Sequence, residues 1–230
     1  MGCPHICPTL TSRIIPPPTL HPLSIQLPTP YGFSFTAASL RPELLLIVAE
    51  RFTKLGSWEA TKESVLAENE LQCRTATSAQ RMEREIRPRL QTLTPHQIEL
   101  FVRSGADTRI SLSWLAAVKH SPFLFDFAAD ALRSKVERHD YVLRESDYRR
   151  FIEEKTPSHP ELLKLSESTS GKIRRVLFAM LREAGILLKG EEIGSLQRPA
   201  IPLEVELSIR AEDPAWLAAY LLPTSEIRVL

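Results

Sequence analysis

The residues best placed to do chemistry are a run of cations between positions 172 and 189. Lys172, Arg174, Arg175, Arg182 and Lys189 stand there against one acid, Glu183. Between them Ile173, Val176, Leu177, Met180, Leu181 and Ala184 recur at helical spacing and form one apolar stripe. At about 100° per residue, Arg175 and Arg182 fall within about 20° of each other on the opposite side, with Lys172 and Arg174 at the flanks. Phosphates demand cations and base edges demand guanidinium-like donors, so this face suits duplex DNA. A solvated helix face that keeps the protein soluble is the competing reading of the same residues.

A second basic surface lies at 72–90, where Arg74, Arg81 and Arg84 share one side opposite Met82 and Ile86. Thr75, Thr77 and Ser78 add hydroxyl donors that suit phosphate oxygens. Glu85 is expected on the same side and weakens the signal. For an enzyme the nearest pattern is Glu153-Glu154-Lys155 downstream of Asp140 and Asp147, which has the composition of a magnesium nuclease set. That chemistry places its Glu and Lys on a strand, whereas Tyr148, Phe151 and Ile152 are spaced for a helix.

Gly185 and Gly190 have the outer spacing of a phosphate loop, but Glu191 and Glu192 follow where Lys and Ser or Thr belong. No histidine pair and no Gly-x-Ser-x-Gly elbow supplies a nucleophile with its base. Cys3-Pro-His5-Ile-Cys7 offers soft ligands, but without the tight spacing or the second ligand pair of a zinc site. The expectation is no catalytic residue, no metal site, no cofactor and no small-molecule substrate.

The chain has 230 residues and a net charge of +1, so a binding face must come from local segregation of charge. Its 8 glycines and 16 aromatics, in a body rich in Leu, Ala, Glu and Arg, argue for helices over sandwiches and glycine-looped nucleotide folds. The longest uncharged apolar stretches, Leu44 to Ala49 and Ala215 to Leu222, fall far short of the roughly 18 residues that span a bilayer, so no membrane partner is expected. Three cysteines, an odd number in a chain that needs no staples, point to a reducing, cytoplasmic setting. Nine of the 18 prolines lie in the first 42 residues, beside a single charge in the first 40, Arg13, and residues 1–30 read as a disordered tail.

Two helical units follow, 31–140 and 141–230. In the first, an apolar run over 44–52 stops at Gly56, Ser57 caps a second helix, and Ala79, Met82, Ile86 and Leu90 mark a third that Pro88 kinks or ends. Thr94-Pro95-His96-Gln97 has the form of a capping box, with Gly105 expected to close its helix, and Asp107 and Ser121-Pro122 open two more. In the second unit a helix over 146–155, a Pro157-Ser-His-Pro160 break, a short helix over 162–165 and a long helix over about 170–184 lead to a small hairpin around 189–192. That order is the order of a winged helix-turn-helix.

Blocks of this sequence resemble one known family. Tyr31-Gly-Phe-Ser-Phe-Thr36, Gly56-Ser-Trp-Glu59 and the segment from Glu68 to Arg81 are similar to the opening of the BrxA family. His159-Pro-Glu-Leu162, Ser168-Thr169, Leu181-Arg-Glu-Ala-Gly185 and Asp213-Pro-Ala-Trp216 are similar to its later part. BrxA proteins belong to BREX systems, bacterial defences that methylate host DNA and block phage replication. The resemblance implies an all-α, DNA-binding accessory without its own catalysis, a NusB-like first bundle, and other BREX proteins as partners. Protein-interaction adaptor and NusB-like RNA binder are the alternatives. One expectation is directly measurable: deleting residues 1–30 leaves the melting temperature and the activity of the remaining chain unchanged.

Overall fold

Local capping chemistry sets most of the helix ends. The computed structural model describes residues 29–228. The tail expected at 1–30 and the Cys3–Cys7 cluster therefore lie almost wholly outside the described residues. A 3-10 turn, Ser34–Ala37, precedes α1 Pro42–Leu55, which ends at Gly56. Ser57 Oγ accepts the Ala60 N–H to open α2 Trp58–Ala67.

Thr75 caps α3 Ala76–Gln91. This helix runs through Pro88 and ends only three residues later, because Arg89 and Leu90 are buried and hold the last turn in place. The capping box is complete on α4 Pro95–Arg103: Thr94 Oγ1 accepts the Gln97 N–H, and Gln97 Oε1 accepts the Thr94 N–H. Gly105 does not close that helix; it is the N-cap of α5 Ala106–His120.

Ser121 and Pro122 open α6 Pro122–Asp126, which widens into a π-helical stretch, Phe127–Leu132, before α7 Arg133–Glu137. The strand β1 Val142–Leu143 leads into α8 Glu145–Lys155. The short helix expected at 162–165 is a 3-10 segment, Pro160–Lys164, and the long helix α9 Glu167–Glu183 starts about a turn earlier than its apolar stripe suggests because Ser166 caps it. β2 Leu187–Leu188, β3 Gly194–Leu196, α10 Leu203–Glu212, a 3-10 stretch Pro214–Tyr220 and α11 Thr224–Ile227 complete the order.

The molecule is mostly helical, and the expected two-stranded hairpin belongs to a three-stranded sheet among the described residues. The order is β1-β3-β2, antiparallel throughout, with Val142 opposite Ser195 and Leu187 opposite Leu196. Gly194 is obligatory in this hairpin, since a Cβ there would lie 2.2 Å from the Leu188 carbonyl oxygen. Gly185 closes α9 in the left-handed region, and the Ile186 N–H reaches back to the Leu181 carbonyl at 2.9 Å. Among the described residues no helix is long and apolar enough to cross a membrane.

One apolar cluster runs from Tyr31 to Leu222. α10 packs on α4 and α5, and the stretch Pro214–Tyr220 packs on α5 and the π-helical segment. The C-terminal residues thus return to the first bundle. Residues 31–40 cross between the halves. Phe123 of α6 meets the rings of Tyr31, Phe33 and Phe35 from this segment and Phe151 from α8, with centroids 5.3 to 5.9 Å apart.

Buried Arg89 donates to Glu85 and to the carbonyls of Ser39 and Ala38. Arg89→Ala is expected to destabilise the fold by about 3–5 kcal/mol, because it strands a buried carboxylate. The double change Glu85→Leu with Arg89→Met is expected to destabilise less than the single one. Urea denaturation of both variants measures this.

Candidate nucleic-acid interface

The position of α9 follows from aromatic packing beneath it. Tyr148 of α8 meets Phe178 of α9 at 5.8 Å and Phe127 at 5.9 Å, and Phe151 meets Phe127 at 5.0 Å. Ile173, Leu177, Met180 and Leu181 are buried as their spacing predicts, and Phe178 joins them. The opposite side of α9 therefore faces solvent, and along it run Ser168, Lys172, Arg175 and Arg182, with Ala179 between.

The four expected residues of α9 are not equivalent. Arg175 is exposed and has no hydrogen-bond or ion-pair partner among the described residues; Lys172 is half-buried and likewise unpaired. Arg174 turns toward α8 and pairs with Glu145. Arg182 is exposed, and its Nη2 donates to the Ile193 carbonyl at 3.1 Å, tying the helix to the hairpin. Surface ion pairs of the Arg174–Glu145 kind contribute little stability, so this one orients more than it holds.

The second set is only partly as expected. Arg81 and Arg84 are exposed on α3 and unpaired, while Arg74 is exposed just before the N-cap. Glu85 does not share their face. It is buried because Arg89 recruits it, so the acidic neighbour that weakened this surface is absent from it. The hydroxyls of Thr75 and Ser78 are engaged in the helix cap, where Thr75 Oγ1 accepts the Ser78 N–H at 3.1 Å. Among the described residues no hydrogen bond or ion pair joins this set to α9.

The nuclease-like residues are dispersed. Lys155 Nζ donates to Asp126 at 3.1 Å and Asp130 at 2.7 Å, whereas Asp140 and Asp147 converge on buried Lys135, and Glu153 is exposed on α8. Among the described residues no cluster of three or more His, Cys, Asp or Glu could hold a metal. Lys135 went unread in the sequence because it gives no local signal. Its value is positional: with Arg144, it clamps Asp140 beside the start of β1, whose Val142 N–H also reaches Asp140.

The sequence model of the BrxA family matches residues 29–213. The chain belongs to the BrxA family. All seven expected contact residues lie within the matched span. The chain is 27% identical over 139 residues to a BREX protein BrxA of Escherichia coli O9:H4 (strain HS), covering 60% of this chain. That match spans 65% of the relative, just under two thirds of its length.

A BREX protein BrxA of Bacillus cereus (strain H3081.97) is 22% identical over 150 residues, 65% of this chain and 75% of the relative. The fold of this BrxA-family chain is also that of a crystal structure of an uncharacterized protein from Magnetospirillum magneticum, with a TM-score of 0.72 at 21% identity, covering 84% of this chain and 98% of the other.

The clamp at the start of β1 has a pH signature. The hydrogen bond from Lys135, then those from Arg144 and the Val142 N–H, lower the Asp140 pKa from 3.8 to about 2. A carboxylate with a depressed folded pKa stabilises the fold above its ordinary value, and that contribution disappears as pH falls through the folded one. The stability gap between the parent and Asp140→Asn is therefore expected to be full at about pH 5 and to close toward about pH 2. Thermal melts across that range test it.

Proposed function

We propose that this chain is a non-catalytic component of a BREX system that binds double-stranded DNA in the cytoplasm through a winged helix-turn-helix. The reading takes α8 and α9 as the helix pair, α9 as the helix that enters the major groove, and the β2–β3 hairpin as the wing. The observation that carries it is the unpaired Arg175 in the outward stripe of α9, immediately before a hairpin that pairs with β1 in the order β1-β3-β2. Arg175 and Arg182 are seven residues apart, about 10.5 Å along the axis, a spacing that follows a groove.

On this reading 31–140 is a NusB-like bundle whose Arg74, Arg81 and Arg84 assist on the phosphate backbone. The names of the two BREX relatives support the assignment to that system.

A second reading has an observation of its own. Leu203 and Leu207, one turn apart on α10, are 71% and 57% exposed. Two large apolar side chains left to water on one helix face suit contact with another protein, so an adaptor role among BREX proteins is compatible with DNA binding on α9.

Gel-shift titration of duplex DNA, single strands and structured RNA across a range of salt tests the first reading. Duplex is expected to bind best. In Arg174→Ala, Arg175→Ala and Arg182→Ala, each lost phosphate contact lowers the slope of log K against log salt by about 1, whereas a lost base contact costs about 1–3 kcal/mol at one sequence position. Arg175→Ala is expected to have the largest effect, because Arg174 already serves Glu145. Unchanged duplex affinity and slope in the folded triple variant would move the interface elsewhere.

A further inference from the structure

The solvent face of α9 has two unlike flanks. On one, Glu145 at the start of α8 holds Arg174, and Arg149 lies one turn further along α8 on the same side of that helix. Arg149 is exposed and has no hydrogen-bond or ion-pair partner among the described residues; of the two acids one turn away on its side of α8, Glu145 is engaged by Arg174 and Glu153 is exposed to solvent. On the other flank, the Arg182 bond to the Ile193 carbonyl holds the β2–β3 turn beside the end of α9. That turn carries one exposed cation, Lys189, against Glu191 and Glu192, both exposed and without an ion-pair partner among the described residues; Arg144 acts on Glu192 only through its field, and Glu192 sits in the left-handed region at φ +54°.

A phosphate backbone is drawn to an unpaired guanidinium and repelled by two adjacent unpaired carboxylates, and both effects are strongest at low salt. We propose that the surface docks duplex DNA asymmetrically: Arg149 takes a backbone phosphate on the α8 flank, while Glu191 and Glu192 hold the backbone off the hairpin flank. The inference rests on the duplex-binding reading of α9. It assigns one further contact residue and makes the hairpin a repulsive element, which lowers general affinity and sharpens the choice of site or docking angle.

Fluorescence anisotropy of the full chain with a fluorescein-labelled, mixed-sequence duplex, from low to physiological salt, tests it with opposite signs. Arg149→Ala is expected to weaken binding several-fold and to reduce the salt slope by about 1. Glu191→Gln combined with Glu192→Asn, where Asn tolerates the left-handed backbone, is expected to tighten binding several-fold at low salt, with the gain shrinking as salt rises. Circular dichroism confirms the fold of each variant.

If Arg175→Ala weakens binding while Arg149→Ala or the hairpin variant leaves it unchanged, the asymmetry is wrong and the duplex reading stands. Weaker binding by the hairpin variant overturns it too, marking the carboxylates as acceptors for cytosine amino groups. A parent chain that binds no duplex overturns both.

Discussion

The guanidinium of Arg89 is 1% exposed, and the rest of the architecture is arranged around keeping it satisfied. Burial pulls its pKa below the usual guanidinium range, and the Glu85 carboxylate pushes back. A pair in this position does not close on itself, because Arg has more donors than one carboxylate can accept. The remaining donors reach the Ser39 carbonyl at 2.7 Å and the Ala38 carbonyl at 3.0 Å, so the segment 31–40 must pass over α3 at that point. A buried charge therefore dictates the path of a chain segment about fifty positions away in sequence.

That path has consequences for α9. Directly after its carbonyls are taken by Arg89, the segment presents the Leu40 N–H to Glu183 at the end of α9, at 2.8 Å. At its other end the Tyr31 N–H donates to Glu161, the Tyr31 hydroxyl donates to Asp126 at 2.6 Å, and its ring stacks on buried His159 at 3.6 Å. The same segment thus touches α3, α6, the turn before α9 and the end of α9. A helix that is to present Arg175 and Arg182 in register needs a fixed axis, and polar ties at both ends over an aromatic floor provide one.

What the sequence revealed was the local and the periodic. The Thr94 box, the Ser57 cap and the apolar stripe of α9 are decided by residues within a few positions of each other, and all three are present. The inward turn of Glu85, by contrast, depends on Arg89 and on carbonyls near position 38. β1 is two residues long, too short for any alternation, and exists because β3 offers it partners. α3 continues past Pro88 because burial of Arg89 and Leu90 outweighs one missing backbone donor. On α9 the solvent side and the cations it carries were legible, but not which cations were already engaged: Arg174 by Glu145, Arg182 by the Ile193 carbonyl.

The near-neutral charge of the chain then has a physical meaning. Across the bundle, cations such as Arg51, Arg87, Lys119, Lys135 and Lys155 are engaged with carboxylates and contribute no long-range field. The unpaired cations of α9 are few. On the proposed reading each neutralised phosphate contributes about one counterion's worth of salt dependence, so Lys172 and Arg175, the unpaired cations of α9, bind duplex weakly without Arg149 and the cations of α3. On that reading a second attachment raises occupancy, because tethering to a partner that also holds DNA increases the effective concentration without any new contact. On the adaptor reading the exposed Leu203 and Leu207 of α10 are the face for such an attachment, and in that arrangement DNA reading and adaptor function are two halves of one binding event rather than competitors.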